Sequence, residues 1–457
     1  MTTQVQEVET LGVTADGGLL TEGGFLRVDR RFAGYLATAG RFGVVWLPLY
    51  AFLSGRAPSL LSAVVLATGL AAVWFVALAK SFDVARLKLL SLGPAVAAAL
   101  GTVSGSVLVS ALSVWVDVHL SPVELADAAA GVFVLSWVWE AVVHRSLAGR
   151  RRVLVVGPDE IGEKLVEDLK TDDDALFDVV GLVDPDRVAS VSSFVAVHEP
   201  DIVVLTAHEV RTDTYEQLLD AASCGFKLVG LSEFYEHAFG RVPVDTLRPT
   251  WFVNVLHLYT RPYTRLAKRA FDVVVALFGV MAVSWLLPIL WLVVKKTGGP
   301  GPVIFTQTRL GEGGRHFRIY KFRTMRADAE ATGAVWAMKD DPRVTKVGKI
   351  MRKTRLDELP QLWNVLKGDM SIVGPRPERP EFLEQLQDVV PFWTRRHLVK
   401  PGITGWAQVR RGYTADADGT ADKLSYDLWY LRHRSLVIDL AVCVKTFTTI
   451  LTGAGAR

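Results

Sequence analysis

One short stretch of the chain carries the groups that could do chemistry. Residues 354–377 read TRLDELPQLWNVLKGDMSIVGPRP, in which Asp357 and Glu358 are adjacent and Arg376 stands between two prolines. Carboxylates bind hard cations such as Mg2+, and an arginine with restricted freedom suits a bidentate contact with phosphate. Two acids at the start of a helix are also typical of a solvated helix end, where the helix dipole favours negative charge. The stretch alone leaves both interpretations open.

The composition indicates a membrane protein. Of the 457 residues, 50% are hydrophobic, the mean hydropathy is +0.27 and there are 13 Trp. The formal net charge is only +3, which argues against a nucleic-acid partner. Cys224 and Cys443 form neither a disulfide framework nor a cluster with metal-ligand spacing, which suits a reducing compartment. The length leaves room for roughly two or three domains.

Four apolar stretches follow a polar N-terminal tail, in which we expect no cleavable signal peptide. They span residues 33–53, 59–79, 90–114 and 122–143. Each is close to the ~20 residues that a spanning helix needs. Basic residues cluster before the first stretch, between the second and third, and after the fourth, so both ends of the bundle are predicted to face the cytoplasm. We expect a disordered tail at 1–30 and a four-helix transmembrane domain at 31–147; a buried helical core is the alternative.

The next segment has the pattern of a small α/β domain, predicted at residues 148–250. RRVLVVGPDEIGEKLVEDLK joins a β-branched run, a glycine turn and an amphipathic helix, and VVGLVD and DIVVLTA look like further strands. A dinucleotide fingerprint needs three glycines, but Asp159 takes the place of the second one, between Gly157 and Gly162, and its carboxylate would repel phosphate. We therefore expect a Rossmann-like domain that is a structural or regulatory spacer rather than a nucleotide site.

A fifth apolar run, from Phe271 to Val294, has basic residues on both sides. The positive-inside pattern then places both of its ends on the same face of the membrane. Pro288 interrupts the run, where it removes a helical hydrogen bond and favours a bend. We predict that residues 268–296 form a re-entrant helix, which turns near Leu287–Pro288 and leaves by the face it entered. Ser284 or a packed neighbour would have to cover the backbone groups that the bend opens.

Several long motifs follow this helix. They are IFTQTRLG, FRIYKFRTM, TRLDELPQLWNVLKGDMSIVGPRPERPEF, VKPGITGWAQV and YDLWYLRHRSLVIDL. In sequence and order they resemble the catalytic domain of bacterial polyprenyl-phosphate sugar-1-phosphate transferases, the monotopic phosphoglycosyl transferases. The N-terminal half resembles the extension of the large subgroup of that family. The implied fold is a four-helix transmembrane bundle, a Rossmann-like α/β domain and a monotopic α-rich catalytic domain at 251–457, which includes the re-entrant membrane helix.

The resemblance implies that a sugar phosphate is transferred in two steps. Asp357 matches the family's aspartate nucleophile, which attacks the phosphorus attached to the sugar and expels a nucleoside monophosphate. Glu358 matches the neighbouring glutamate that helps to hold Mg2+. On a helix, adjacent side chains point about 100° apart. Asp357 can therefore face the phosphorus while Glu358 faces the metal.

Cations at matching positions are expected to bind the phosphates. Arg376, fixed by Pro375 and Pro377, is the candidate phosphate clamp, because its planar fork can grip two oxygens. Three further cations match family positions near the active site, although each could instead anchor the domain to the membrane surface. They are Lys321, Arg323 and Arg352.

One departure from the family's pattern lies after the motif WAQV. Many relatives continue with NGR, whereas this chain continues with RRGYTADADG. Arg410 or Arg411 is expected to take the place of that arginine near the nucleotide or the sugar. Asn364 is expected to brace the fold, and Asp439 to be structural or to support the site.

The expected substrates are a UDP-sugar, with glucose or galactose as the first candidates, and undecaprenyl or decaprenyl phosphate. Such a hexose-1-phosphate transferase would carry out the first membrane step of capsule, exopolysaccharide or glycan synthesis. It would be a multi-pass protein of the bacterial inner membrane, with its catalytic domain on the cytoplasmic face, and a homodimer is one option for its assembly.

Two other functions are alternatives to sugar phosphate transfer. A membrane-anchored nucleotide-sugar dehydratase or epimerase needs a full glycine motif and usually a tyrosine followed four residues later by lysine, and the chain has neither. A non-catalytic scaffold for polysaccharide assembly would explain the α/β domain but not the full series of catalytic motifs. The transferase is therefore the favoured function.

Overall fold

The computed structural model describes most of the chain. The described residues are 30–55, 59–85, 98–99, 101–107, 109–110, 121–146, 151–171, 177–187, 190–206, 211–256, 266–326, 328–329, 341–410 and 417–452. The predicted tail up to residue 29, much of the third apolar stretch and Arg411 lie outside these residues.

Three long helices are described in the N-terminal part of the chain. They are α1 (Arg30–Ser54), α2 (Leu60–Ala85) and α3 (Pro122–Ser146). Helix α1 packs against both α2 and α3, and the contacts bury apolar side chains such as Leu49, Trp74 and Val132. Within the third predicted stretch the described residues between 98 and 110 are also helical.

Length and apolar composition single out one candidate membrane span among the described helices. It is Pro122–Val142, within α3, whereas the apolar part of α2, Leu60–Val76, is shorter. Farther along the chain, two consecutive helices are bent relative to each other. They would be a second candidate span if the two helices together are counted as a single span. The four-helix transmembrane bundle therefore stays a prediction.

The α/β domain has the predicted parallel sheet. Its strands are β1 (Arg151–Val156), β2 (Phe177–Val183), β3 (Ile202–Leu205) and β4 (Lys227–Gly230), in the order β2-β1-β3-β4. Its helices are α4 (Asp159–Thr171), α5 (Val191–His198), α6 (Thr212–Asp220) and α7 (Leu231–Ala238). Helices α4 and α7 pack on one face and α5 and α6 on the other. Residues 153–156 of β1 and 202–205 of β3 are covered on both faces, and each of these stretches is a continuous apolar run.

The two glycines after β1 have conformational and packing reasons for their places. Gly157 has a φ of 146°, which favours glycine, and its N–H donates to Val183 O at 2.9 Å. Gly162 lies where α4 crosses the sheet, and a Cβ there would come within 2.2 Å of Leu182 Cδ1. These glycines therefore let α4 begin sharply and pack closely on β2.

The C-terminal part of the chain folds around a core of large side chains. Its helices are α8 (Val253–Leu256), α9 (Leu266–Val283), α10 (Leu286–Thr297), α11 (Lys346–Lys353), α12 (Gln361–Lys367), α13 (Leu383–Val389), α14 (Trp406–Arg410), α15 (Ala417–His433) and α16 (Leu436–Thr452). Its strands are β5 (Ile304–Leu310), β6 (His316–Phe322), β7 (Ser371–Val373) and β8 (Gly402–Thr404). Strands β5 and β6 form an antiparallel hairpin, and β7 and β8 a short parallel pair. Met370, Trp393, Trp406 and Trp429 are buried in this core.

Helices α9 and α10 are bent by 66° relative to each other. The break falls at Ser284 and Trp285, slightly before the turn that the sequence predicts at Leu287–Pro288. A proline ring clashes with the carbonyl four residues earlier, which for Pro288 is that of Ser284, and this explains the shift. The bend is observed, whereas the re-entrant path through a membrane stays a prediction.

Side chains at the break bind backbone carbonyls just before it. Ser284 Oγ donates to Met281 O at 2.9 Å, and Trp285 Nε1 donates to Ala282 O at 3.0 Å. Carbonyls near a helix break need such partners where water is absent. Ser284 thus covers a backbone carbonyl at the bend, as the sequence predicted.

Buried polar contacts join the end of the α/β domain to α15. Glu236 of α7 accepts hydrogen bonds from Trp251 Nε1 at 2.8 Å and from Arg432 at 2.7 Å. Burial raises the pKa of Glu236, against the opposing effect of Trp251 and Arg432. Trp406 Nε1 adds a bond to Gly240 O at 2.7 Å. These contacts hold the end of the α/β domain against α14 and α15.

Candidate active site

Asp357 and Glu358 lie in a single 3₁₀ turn, Leu356–Glu358, directly after α11. Arg355 precedes the turn with a left-handed backbone, at a φ of 57°. The sequence predicted that the acids lie on a helix with side chains about 100° apart. They lie instead in a 3₁₀ turn. A 3₁₀ turn has three residues per turn, so adjacent side chains still diverge, by about 120°. Both acids are buried, with 7% of each exposed.

Glu358 is surrounded by cations. Lys321 Nζ lies 3.0 Å and Arg376 Nη2 2.9 Å from Glu358 Oε1, and Arg355 Nη1 lies at 3.7 Å. Burial opposes ionisation of Glu358. Lys321, Arg376 and Arg355 together outweigh that effect and hold the pKa of this carboxyl well below its usual range. Glu358 is therefore an ionised acid that orients the cations around it.

Asp357 differs from its neighbour in both electrostatics and hydrogen bonding. Burial, followed by the charge of Glu358, raises the pKa of Asp357, while Lys321, Arg352 and Arg376 oppose the shift. Its Oδ1 is buried and accepts no hydrogen bond from the residues that the structure describes. Asp357 thus lies among cations, and no described residue donates a hydrogen bond to its Oδ1.

Lys321 and Arg352 reach the acids from two different elements. Lys321 is near the end of β6, and burial lowers its pKa although Glu358 favours its charged form. Arg352, in the last turn of α11, donates from Nε to Thr324 Oγ1 at 2.9 Å. Asn364 braces β6 by donating from Nδ2 to Arg318 O at 2.7 Å. The sequence expectation that Asn364 stabilises the fold agrees with this contact.

The backbone around Arg376 is held at every carbonyl from 375 to 378. Gly402 N donates to Pro375 O at 2.9 Å, and Arg396 Nη2 donates to Arg376 O at 3.2 Å. Arg309 Nη1 donates to Pro377 O at 3.1 Å, and Leu310 N donates to Glu378 O at 3.0 Å. Pro375 and Pro377 restrict the same backbone through their rings. The guanidinium of Arg376 is thus presented to Glu358 from an immobilised segment.

A buried ionic network holds β7, which leads into this segment. Asp272 Oδ1 accepts bonds from Ser371 Oγ at 2.9 Å and Ile372 N at 3.1 Å. Lys268 Nζ lies 3.1 Å from Asp272 and 2.6 Å from Asp439 Oδ2. Asp439 is therefore a structural residue that ties α16 to α9, one of the two roles that the sequence left open.

Two of the predicted site residues point elsewhere. Arg323 donates to Pro300 O at 2.6 Å and Gly299 O at 2.8 Å, so it fastens the loop after α10. Arg410 donates to Phe239 O at 3.0 Å, at the contact with the α/β domain. The structure brings Asp357, Glu358, Lys321, Arg352 and Arg376 together, but it does not bring Arg323 or Arg410 to the acids.

Known proteins match the region that contains this cluster. The family model described as bacterial sugar transferase matches residues 263–453. The chain is 46% identical over 227 residues to the UDP-N-acetylgalactosamine-undecaprenyl-phosphate N-acetylgalactosaminephosphotransferase of Aeromonas hydrophila, covering 50% of this chain and 53% of that one. It is 43% identical over 206 residues to the UDP-glucose:undecaprenyl-phosphate glucose-1-phosphate transferase of Escherichia coli (strain K12), covering 44% of each chain.

A shorter relative is matched over nearly its whole length. The exopolysaccharide production protein PSS of Rhizobium leguminosarum bv. phaseoli is 39% identical over 191 residues, which are 40% of this chain and 95% of that protein. The chain belongs to the bacterial sugar transferase family. The family region includes every predicted site residue, whereas the α/β domain and the helices before it lie outside the region. Against the two longer relatives, the chain spans only about half of their length.

Some residues of this bacterial sugar transferase site were missed in the sequence. Arg355 stands two positions before Asp357, Arg309 lies in the quoted motif IFTQTRLG, and Arg396 lies outside the quoted motifs. Arg355 and Arg309 could have been predicted, because both lie within the quoted motifs. Arg396 gave none, because its role depends on a contact with a backbone carbonyl twenty residues earlier.

The acid pair can also be judged as a metal site. Mg2+ is commonly bound through one or two carboxylates together with substrate phosphates. The described residues contain no group of three or more His, Cys, Asp or Glu side chains that could hold a metal ion. Asp357 and Glu358 therefore fit a cation that is shared with phosphate groups, rather than a site built by the protein alone.

Proposed function

We propose that the chain transfers a sugar-1-phosphate from a UDP-sugar to polyprenyl phosphate, with release of UMP. The names of the two longer relatives describe sugar phosphate transfer from UDP-sugars to undecaprenyl phosphate. The name of the Rhizobium relative refers to exopolysaccharide production. Family membership supports the reaction class, and the geometry around Asp357 supports the mechanism below.

The observation that carries the proposal is the buried Oδ1 of Asp357, which accepts no hydrogen bond from the described residues. In the first step this oxygen attacks the phosphorus attached to the sugar. A P–O bond to Asp357 forms, the bond to the other phosphate of the diphosphate breaks, and UMP leaves with the bonding electrons. The product is an aspartyl phosphosugar, which splits one difficult transfer into two.

Glu358 and its cations prepare the site for the diphosphate. The ionised Glu358 orients Lys321 and Arg376, whose positive charges would stabilise negative charge on the departing phosphate. Arg376 presents its guanidinium from a segment fixed at four carbonyls, so little freedom is lost when it binds. Asp357 and Glu358 would hold Mg2+, which would supply further neutralisation of phosphate charge.

In the second step a phosphate oxygen of the polyprenyl phosphate attacks the same phosphorus. The bond to Asp357 breaks, the carboxylate is regenerated, and the sugar is left on a lipid diphosphate. Elements next to the acids expose large apolar side chains that suit a lipid environment: Ile350 of α11 is 64% exposed and Trp363 of α12 is 62% exposed. They support delivery of the lipid substrate from a membrane.

The same proposal includes a membrane topology. The four N-terminal apolar stretches would form a transmembrane bundle, and α9 and α10 a re-entrant pair, at the cytoplasmic face of the bacterial inner membrane. The bend of 66° and the basic residues on both flanks of the pair support this path. The exposed apolar side chains of the pair, such as Phe278, Met281 and Trp285, also suit a lipid environment.

The reaction can be tested with purified protein. We would incubate it with Mg2+, undecaprenyl phosphate and, in turn, UDP-glucose, UDP-galactose or UDP-N-acetylgalactosamine, and measure UMP and lipid-linked sugar. We expect at least one UDP-sugar to yield both products in equal amounts. If no sugar gave UMP, or if the sugar nucleotide were converted into another sugar nucleotide, the proposed transfer would be wrong.

A further inference from the structure

Arg396 is a buried cation to which the proposed mechanism assigns only one contact, with a backbone carbonyl. It lies in the 3₁₀ segment Trp393–Leu398, only 2% exposed, with its guanidinium 4.4 Å from the ring centre of Trp393. Full burial of an arginine is rare unless its charge is paired. The groups that pair with it therefore indicate what it does.

Two acids pair with Arg396: Asp427, which is buried, and Glu378, whose side chain is 13% exposed. Its Nη2 lies 2.6 Å from Asp427 Oδ2, and its Nη1 lies 3.3 Å from Glu378 Oε1. Burial opposes ionisation of Glu378, but Arg396 and the neighbouring cations hold the pKa of Glu378 below its usual value. Burial raises the pKa of Asp427 to about 6 in spite of Arg396. Arg396 is thus anchored on α15 through Asp427 and beside the clamp segment through Glu378.

The third contact of Arg396 reaches the clamp itself. Nη2 donates to the main-chain carbonyl of Arg376 at 3.2 Å, while the side chain of Arg376 lies 2.9 Å from Glu358. The carbonyl is one bond from the Cα that carries the clamp side chain. A shift of Arg396 would therefore move the guanidinium of Arg376 relative to Glu358.

We propose that Arg396 is a positioning residue, which sets the placement of the Arg376 guanidinium by holding the Arg376 carbonyl against α15. The inference rests on the proposed function, because it assigns the placement of a phosphate-binding group. It differs from a general structural role in one respect: the effect of Arg396 on substrate has to pass through Arg376.

A double-mutant cycle separates these two roles. Arg396→Lys keeps the charge but loses the planar fork that bridges Glu378, Asp427 and the carbonyl. A misplacement of about 1 Å in a positioning group can cost roughly 100-fold in rate, and we expect a loss of that order in kcat/KM for UMP release. In an Arg376→Lys background the same substitution should cost no more than about 2-fold, since residues acting through each other are not additive.

Binding of UDP in the presence of Mg2+ gives a second measurement that does not depend on turnover. By calorimetry, we expect Arg396→Lys and Arg376→Lys to weaken UDP binding by similar factors, and the double variant to bind no more weakly than Arg376→Lys. If Arg396→Lys does not fold, Asp427→Asn serves instead, because it leaves the guanidinium but removes its anchor. Arg432→Lys is the matched control, since it alters an arginine that pairs with the buried Glu236 and should leave UDP binding unchanged.

The outcomes distinguish the inference from the function on which it rests. Losses that multiply in the double variant would overturn the positioning role while leaving the transferase in place. The same conclusion follows if Arg432→Lys weakens UDP binding as much as Arg396→Lys does. A wild-type protein that neither binds UDP nor releases UMP would overturn both the proposed function and the role assigned to Arg396.

Discussion

Arg376 and Glu358 form an ion pair in which Nη2 of the arginine lies 2.9 Å from Oε1 of the glutamate. The pair links a segment fixed by its backbone carbonyls to the acid next to Asp357. It also separates the roles of the two acids: Glu358 is held ionised by its cations, while burial raises the pKa of Asp357. Substitutions of Arg376, Glu358 and Asp357 are therefore expected to have different effects on catalysis.

Arg376→Lys should lose most activity while the protein stays folded. Lysine keeps the charge but cannot grip two phosphate oxygens with a planar fork, so we expect kcat/KM for UMP release to fall by roughly 10- to 100-fold. The control is Arg323→Lys, which changes an arginine of the same domain that binds two loop carbonyls. That variant should lose stability rather than substrate affinity. Near-normal turnover of Arg376→Lys would show that Arg376 is not a phosphate clamp.

Glu358→Gln should raise the Mg2+ concentration needed for half-maximal UMP release, because a neutral amide is a weaker ligand for a hard cation. Excess Mg2+ should then restore part of the activity. Glu236→Gln is the matched control, since Glu236 is also a buried glutamate that pairs with an arginine, Arg432. A Glu358→Gln enzyme with an unchanged Mg2+ requirement would contradict the assignment of Glu358 to the metal.

Cysteine labelling in cells should place the end of α10 in the cytoplasm. We would introduce cysteine at the exposed Lys296 in a variant without the two native cysteines, and use Lys164 and Ser121 as reference positions for the cytoplasmic and outer sides. We expect a membrane-impermeant reagent to label Lys296→Cys only after permeabilisation, like Lys164→Cys, while Ser121→Cys reacts in intact cells. Labelling of Lys296→Cys in intact cells would overturn the re-entrant path.

Pro288→Ala tests what causes the bend. Without the proline ring the helix can recover a hydrogen bond and straighten, so we expect lower activity or a lower yield of folded protein. Lys296→Cys, labelled in the same background, reports whether the path through the membrane has changed. If activity and labelling are both unaltered, Pro288 does not maintain the bend.

His397 should make stability depend on pH. Burial, together with the charge of Arg396, lowers the pKa of His397 to about 4. Between pH 6.5 and 4 the unfolded chain therefore binds a proton that the folded protein does not. The free energy of unfolding should fall as pH is lowered through this window, by on the order of 2–3 kcal/mol.

Thermal unfolding of the detergent-solubilised protein at pH 7.5 and pH 5 checks this effect. His397→Asn should reduce the drop in the apparent unfolding temperature on acidification. An equal drop in wild type and His397→Asn would show that His397 does not titrate differently in the two states.

The sequence was most informative where local chemistry decides the structure. The β-branched run, glycine turn and amphipathic helix that begin at Arg151 predicted an α/β domain, and the structure has a parallel sheet there with helices on both faces. Pro288 predicted the bend within a few residues, since its clash acts on the carbonyl four positions earlier. The motif order gave the family, and adjacency in sequence brought Asp357 and Glu358 together.

The remaining features depend on contacts between distant parts of the chain. Lys321 meets Glu358 because the β5–β6 hairpin packs beside the acid turn, and Arg323, two residues later, faces the other way toward the loop at 299–300. No sequence pattern near Arg396 predicts its hydrogen bond to Arg376 O, because any donor in the right position could satisfy a backbone carbonyl. Such contacts follow from tertiary packing, which residue types alone do not encode.

A covalent bond between Asp357 and phosphorus can be detected by mass spectrometry. The purified protein is incubated with Mg2+ and its UDP-sugar in the absence of lipid, and both UMP and the mass of the intact protein and its peptides are measured. We predict stoichiometric UMP release and a sugar-phosphate adduct on the peptide that contains Asp357, both abolished by Asp357→Asn. An enzyme that releases UMP only when polyprenyl phosphate is present, carries no adduct, and stays active as Asp357→Asn would contradict the covalent mechanism.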